Sequence, residues 1–205
     1  MRLAKVVSYL IHPVFVTTFM LAFALFQKNT YLYYTITPTG RWFFLAVAFI
    51  LTVLAPIFSV GYLLYSKQIS SIEMEDRKER IVPMFITVAY TFGLYYMFSS
   101  FEMPPVVMAI IGVGVIGTVV TLLITFFWKI SAHMISIAGF GGMVLALSEQ
   151  IHPVPNWVFM VLFLLMGIVG WARLKLNSHT LPQVLAGWVI GYFISYFAMI
   201  YLMSS

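Results

Sequence analysis

Three short polar segments interrupt this otherwise apolar sequence, at residues 75–83, 128–133 and 173–187. Between them they contain arginine, lysine, serine and two histidines, which together suit chemistry on a phosphoester. Arg and Lys neutralise the non-bridging oxygens of a phosphate group. One histidine can attack phosphorus, and a second can protonate the leaving oxygen. Ser131 and His179 each lie where an apolar segment begins, so a helix N-terminus would add backbone donors for the anion.

The third segment has a characteristic spacing. Five residues separate Arg173 from His179, and three separate His179 from Gln183, before the tetrapeptide Val-Leu-Ala-Gly. This resembles the motif Ser-Arg-x5-His-x3-Asp of the type 2 phosphatidic acid phosphatase superfamily, a family of integral membrane lipid-phosphate phosphatases. The chain departs from that motif in having Gln183 where the family has Asp.

The other two segments resemble the same family less completely. Ser131-Ala132-His133 is similar to the family motif Pro-Ser-Gly-His, without the leading Pro and with Ala for Gly. Arg80 precedes Pro83, as in the motif Lys-x6-Arg-Pro, but two residues intervene and Glu73 occupies the position of the motif lysine. The resemblance extends from residue 73 to about residue 190 and is nearest to divergent bacterial members.

By position, the resemblance makes His179 the nucleophile that forms a phosphohistidine and His133 the general acid. Gln183 replaces the Asp that orients the nucleophile. Its amide oxygen can still accept from the imidazole N–H, but it cannot balance an imidazolium charge, so slow or absent activity is expected. From chemistry alone, we predict that Lys129 replaces the missing motif lysine. The candidate phosphate-binding residues are Arg173, Arg80, Lys129, Ser131 and Arg77.

The composition is that of a membrane protein. Apolar residues make up 62% of the 205 residues and charged residues 8%, against roughly 25% charged in a soluble domain. This excludes an ordinary soluble globule, a disordered chain and a nucleic-acid-binding protein. A crossing takes about 20 apolar residues, and long apolar segments without strict alternation indicate helices. The predicted spans are residues 6–26, 42–65, 82–99, 105–127, 131–147, 157–171 and 181–203.

We therefore predict an all-α, polytopic transmembrane helix bundle of six to seven spans. It forms one integral membrane domain over residues 1–205, with a motif-bearing core at about 66–203. With seven spans, nine Lys and Arg residues lie on the face of the polar segments and two on the other face. The positive-inside rule then places the charged face in the cytoplasm, here of a bacterial inner membrane. Phosphate-binding cations contribute to this count, so the charges alone do not settle the side. His12-Pro13 and His152-Pro153 are interpreted as span boundaries.

The leading functional hypothesis is a phosphatase that needs no metal or cofactor. Its substrate would be a lipid phosphomonoester or diphosphate, such as phosphatidic acid, phosphatidylglycerol phosphate or a polyprenyl diphosphate. The alternative is a catalytically degenerate relative that binds or moves phospholipids, or serves as a membrane assembly subunit, and Gln183 favours it. The expected partners are a lipid phosphate and membrane lipids, without nucleic acid, and the sequence leaves the oligomeric state open.

Two further classes are disfavoured by the distribution of carboxylates. A membrane prenyltransferase needs two Asp-rich motifs for magnesium, and the sequence contains a single Asp, Asp76. A proton-coupled transporter is disfavoured because no predicted span centre carries an acidic residue.

Overall fold

The computed structural model describes residues 1–28 and 30–204, and it shows a bundle of long helices. Three helices come first: α1 (Arg2–Leu10), α2 (Pro13–Phe26) and the short α3 (Tyr31–Thr35). A continuous helical segment follows, made of α4 (Pro38–Phe49), a π-helical turn (Ile50–Leu54) and α5 (Ala55–Tyr65). After a 3₁₀ turn (Lys78–Arg80), the remaining helices are α6 (Ile81–Ser99), α7 (Pro105–Thr125), α8 (Ala132–Gln150), α9 (Asn156–Lys175) and α10 (Leu181–Ser204).

Within the described ranges, six helical segments are long and apolar enough to cross a membrane. The six segments are Pro38–Tyr65, Lys78–Ser99, Pro105–Thr125, Ala132–Gln150, Asn156–Lys175 and Leu181–Ser204. The pair formed by α1 and α2 meets the same criteria and gives a seventh span if it is counted as one. The predicted all-α polytopic bundle of six to seven spans is confirmed.

The first predicted span, residues 6–26, is not one straight helix. It breaks at Ile11 and His12, and α1 and α2 are bent by 50° relative to each other. Pro13 is the reason: it lacks a backbone N–H and pushes the residue before it out of the helical region. His12 accordingly has an extended backbone, with ψ of 140°. The short α1 then packs against α9.

A π-helical turn interrupts the segment between α4 and α5 for a similar reason. Pro56 cannot donate to the carbonyl four residues earlier, and the wider turn over Ile50–Leu54 accommodates its ring. Inside this turn, the buried Thr52 hydroxyl shares a hydrogen bond of 2.8 Å with Thr18 of α2. The turn is thereby joined to the helix that follows the first break.

The closest helix contact in the bundle joins α8 and α10. Small residues repeat every fourth position along α10, at Gly187, Gly191 and Ser195, and face α8. A Cβ atom added at Gly191 would lie 2.3 Å from the carbonyl oxygen of Ile135, so the two backbones touch. Small residues at this spacing permit such close approach in membranes, where packing replaces the hydrophobic effect as the attraction between helices.

The order of these contacts shows that α8 and α10 run parallel. Gly187 lies against Ser131, Gly191 against Ile135, and Ser195 against Gly139. The residue numbers of the contacting positions increase in the same direction along both helices. As a result, the N-termini of α8 and α10 lie side by side at one end of the bundle.

We predict that Gly191→Ala destabilises the protein, whereas Gly167→Ala on α9 does not. The new methyl group at residue 191 must displace the α8 backbone, and overpacking of this kind costs about 1–3 kcal/mol. Gly167 has no atom within 4 Å of an added Cβ, so its substitution gains only helix propensity, up to about 1 kcal/mol. Thermal unfolding of the purified variants in detergent measures the difference. Equal melting temperatures for the two variants would contradict the proposed close contact.

Candidate active site

One large cavity, of about 1050 Å³, opens where α1 ends and where α6, α8 and α10 begin. Five of the eight predicted site residues line it: His179, His133, Arg173, Arg80 and Lys129. The folded chain thus brings together groups that are almost 100 positions apart in the sequence. From this end the cavity continues into the bundle between α2, α6 and α7.

The two arginines of this cavity form no ion pairs among the described residues, although Glu73 and Glu75 also line it. Arg173 is buried, its Nη1 donates to the Ser8 hydroxyl at 3.2 Å, and its Nε is buried without any hydrogen-bond partner. Arg80 donates only to backbone carbonyls, to Met74 at 2.8 Å from Nε and to Glu73 at 3.4 Å from Nη2. In the described part of the chain, no carboxylate forms an ion pair with either arginine. Buried charge without a counter-charge is costly, so this arrangement is that of a site for an anion.

Lys129 adds a third cation, in the loop between α7 and α8. Burial lowers the pKa of its ammonium group below the ordinary value, and the positive charge of Arg80 lowers it further, while Glu75 opposes the change. Lys129 and Arg80 both line the cavity, where their positive charges repel each other. An anion bound between them would relieve that repulsion.

His179 is buried, with 6% of its surface exposed, immediately before α10. Its Nδ1 lies 3.2 Å from the Lys129 carbonyl oxygen and 3.2 Å from Gln183 Oε1. The same Gln183 oxygen accepts a hydrogen bond from the backbone N–H of Thr180 at 3.2 Å, which fixes the orientation of the amide. Since both neighbours of Nδ1 are acceptors, Nδ1 carries the proton. The other ring nitrogen, Nε2, therefore keeps its lone pair, as a nucleophile requires.

Gln183 also caps the N-terminus of α10. The sequence Thr180-Leu181-Pro182-Gln183 forms a capping box, in which the side chain three residues into the helix accepts from the backbone N–H just before the helix. Gln183 does not line the cavity itself. Its effect on the site is indirect, because its side chain holds the His179 ring in one orientation and one tautomer.

The pKa of His179 is lowered to about 3, first by burial and then by the charges of Arg80 and Arg173. The hydrogen bonds to Gln183 and to the Lys129 carbonyl oppose this change. His179 is therefore neutral at neutral pH. The ring is thus both correctly oriented and in the protonation state that can attack phosphorus.

His133 lies in the first turn of α8 and contacts the N-terminal helix. Its Nε2 is 3.1 Å from the Ser8 carbonyl oxygen, which can only accept, so Nε2 carries a proton and Nδ1 is left to exchange a proton with a substrate. The His133 ring also packs edge-on against the ring of His12, with centroids 5.1 Å apart.

Sequence reasoning missed the contribution of α1. Ser8 and His12 line the cavity, although His12-Pro13 was interpreted only as a span boundary. The signal in the sequence that could have found them is that Ser8 and His12 are polar residues within an apolar segment. Their proximity to His133 and Arg173 could not be read from the spacing.

Ser131 and Arg77 do not line the cavity. Ser131 is fully buried and caps α8, accepting from the Met134 backbone N–H at 3.4 Å. Arg77 donates to the carbonyl oxygens of Thr125 and Phe126 and so satisfies the C-terminus of α7. The structure thus gives both residues a role at a helix end, and their predicted contacts with phosphate stay predictions.

The arrangement supplies a nucleophile, a group able to exchange protons and three cations around one space. These are the requirements for transfer of a phosphoryl group to the enzyme. Over the described residues, no group of three or more His, Asp or Glu side chains is placed to hold a metal ion.

The helices indicate an integral membrane protein, and one end of the bundle holds a cavity lined by histidine and cationic side chains. Residues 117–204 match the model of the PAP2 superfamily, and this segment contains Lys129, His133, Arg173, His179 and Gln183. The predicted resemblance is confirmed over this segment, while the first polar segment lies outside the match. The match supports a phosphatase, a hydrolase of the kind that commonly acts on lipid phosphates. A search of curated proteins and a search of solved structures each gave no significant match.

The lowered pKa of His179 gives a prediction for its behaviour on acidification. As the pH falls through the ordinary histidine value of about 6.5, His179 should stay neutral and keep its proton on Nδ1. Nitrogen NMR of protein labelled in its histidine side chains measures this, and the spectrum of His179→Ala identifies the signal. Protonation of both ring nitrogens near pH 6.5 would show that the ring is not desolvated as described.

Proposed function

We propose that this protein hydrolyses the phosphate or diphosphate group of a lipid through a phosphohistidine at His179, without a metal ion. The observation that supports this most strongly is the orientation of His179 beside two buried arginines that form no ion pair among the described residues. Its Nδ1–H is held by Gln183 and the Lys129 carbonyl, so that Nε2 is free. The Nε of Arg173 is buried without a hydrogen-bond partner among the described residues.

In the first step, Nε2 of His179 attacks phosphorus while the bond to the leaving oxygen breaks. The leaving oxygen takes the Nδ1 proton of His133, which enters this step doubly protonated, with its Nε2–H held by the Ser8 carbonyl. Arg173, Arg80 and Lys129 neutralise the non-bridging oxygens as charge builds on them. The products of this step are the lipid alcohol, or the lipid monophosphate if the substrate is a diphosphate, and phosphohistidine.

In the second step, water attacks the phosphohistidine. His133, now neutral, accepts a proton from the water, and the phosphorus–nitrogen electron pair returns to Nε2 of His179. Inorganic phosphate leaves, and His133 is again protonated for the next cycle. Each histidine thus returns to its starting state without an external reductant, oxidant or cofactor.

The extent of the cavity supports a lipid as the substrate. Its volume of about 1050 Å³ matches the upper end of the roughly 300–1,000 Å³ typical of small-molecule sites, so it holds more than a phosphate ion. Away from the charged end it is lined by apolar side chains of the spans, such as Val16, Met20 and Val113. Thr87 and Thr121 also line it. Their hydroxyls donate hydrogen bonds to backbone carbonyls of their own helices, so neither hydroxyl needs a polar partner from a lipid tail in the cavity.

We further propose that the site faces the cytoplasm of a bacterial inner membrane. The nine-to-two distribution of Lys and Arg supports this orientation. Seven of the nine charges lie in or beside the loops that join α5 to α6, α7 to α8 and α9 to α10, at the cavity end of the bundle, and the other two, Arg2 and Lys5, lie in α1.

A second candidate function is a relative that binds lipid phosphates without hydrolysing them. Gln183 favours it, because an amide holds His179 in place but cannot balance the positive charge that develops on the ring. The cavity and its cations would serve such a protein equally well. Phosphate release separates the two functions, since binding alone produces none.

We predict that the purified protein in detergent, with EDTA present, releases phosphate from phosphatidic acid, phosphatidylglycerol phosphate or undecaprenyl diphosphate. His179→Ala should abolish release, because it removes the nitrogen on which the proposed covalent intermediate forms. The assay measures inorganic phosphate over time for both proteins. His152→Ala is the matched control, since His152 lies outside the cavity and should keep full activity.

Undiminished release by His179→Ala would overturn the proposed mechanism. Release that requires an added metal ion would overturn the metal-independent step. If no lipid releases phosphate but the lipids bind, the second candidate function replaces the first.

We predict opposite effects for two substitutions of Gln183. Gln183→Ala removes one of the two acceptors that hold Nδ1–H and should lower kcat about tenfold, less than the roughly 10⁴-fold known for an orienting carboxylate in a triad, because the Lys129 carbonyl remains. Gln183→Glu keeps the capping box and adds a charge that stabilises the imidazolium, so kcat should rise severalfold. Steady-state rates and melting temperatures check both variants. A Gln183→Glu enzyme no faster than the wild type would show that this charge does not limit the reaction.

A further inference from the structure

A third histidine lies in the cavity and has no role in the chemistry described so far. His12 lines the cavity together with His133 and Arg173. Its ring meets the His133 ring edge-on, with centroids 5.1 Å apart and planes at 83°. The family match begins at residue 117, so it assigns nothing to this part of the chain.

The local structure fixes the tautomer of His12. The residue caps the N-terminus of α2, and its Nδ1 accepts a hydrogen bond from the Val14 backbone N–H at 3.3 Å. A nitrogen that accepts carries no proton, so in the neutral ring the proton is on Nε2. Among the residues that the structure describes, none hydrogen-bonds to this Nε2–H, which leaves it available to a ligand in the cavity.

Capping alone does not require an imidazole. Asn, Asp and Ser are the strongest N-caps and are shorter than His. The imidazole has a second polar atom, Nε2, beyond the capping contact, and the residue lines the cavity. Because the neutral ring adds a donor without adding charge, it does not increase the repulsion among Arg80, Arg173 and Lys129.

We propose that His12 is a phosphate-binding residue, whose Nε2–H donates a hydrogen bond to a non-bridging oxygen of the bound phosphoryl group beside Arg173. This rests on the site proposed above but not on its catalytic step. The helix break at Pro13 is what brings this donor to the cavity. The N-terminal pair of helices thus completes a site whose other ligands lie far along the chain.

Two substitutions separate the capping role of His12 from the binding role. In His12→Asn, the side-chain oxygen can still accept from the α2 backbone, but the side chain is too short to reach the position of Nε2. His12→Gln places an amide N–H near the position of Nε2. His152→Asn is the matched control, because His152 also precedes a proline but lies outside the cavity.

The experiment measures binding of inorganic phosphate to each purified protein by calorimetry, together with KM, kcat and melting temperature. His12→Asn should weaken phosphate binding about tenfold, in line with loss of one hydrogen bond to a charged group, and should raise KM at an unchanged melting temperature. His12→Gln should bind within about threefold of the wild type, and His152→Asn should bind equally well.

Phosphate binding by His12→Asn that equals that of the wild type would overturn the proposal, and so would a wild-type protein that does not bind phosphate. Binding that depends on His12 in a protein that releases no phosphate would support the role of His12 while overturning the catalytic proposal. Release by the wild type with unchanged binding and KM in His12→Asn would overturn the role of His12 alone.

Discussion

The close parallel contact between α8 and α10 determines the geometry of the site. Gly187 and Gly191 allow the two backbones to touch, and this places the N-termini of both helices side by side. His133 starts one helix and His179 precedes the other, so both imidazoles reach the same cavity. Bulkier residues along this face of α10 would separate the helices, and the two histidines with them.

The second constraint is the concentration of unpaired positive charge. Arg173 keeps a buried Nε without a partner, and Arg80 bonds only to loop carbonyls. In a protein interior of low dielectric such an arrangement is unfavourable by itself. The anion proposed above would complete it, and burial, together with these charges, keeps His179 neutral.

Much of the site was predictable because its chemistry is local in sequence. The spacing of Arg173, His179 and Gln183 reflects the turn between α9 and the first turn of α10, and a capping box has a fixed length. Ser131 and Arg77 show the limit of that reasoning. Ser and Arg side chains can bind phosphate, but in the structure both residues hydrogen-bond to backbone groups at helix ends. Helix ends need polar side chains too, so residue type alone does not separate the two roles.

The sequence by itself determined the membrane class, the six to seven spans, the resemblance of residues 117–204 to the PAP2 superfamily and the spacing of the candidate site residues. These follow from apolar length and from spacing within single turns. Only the tertiary structure decided that α1 and α2 bend by 50° and bring Ser8 and His12 against Arg173 and His133. Proline predicts a break in a helix, but the direction of the bend depends on packing against α9, which no local pattern encodes.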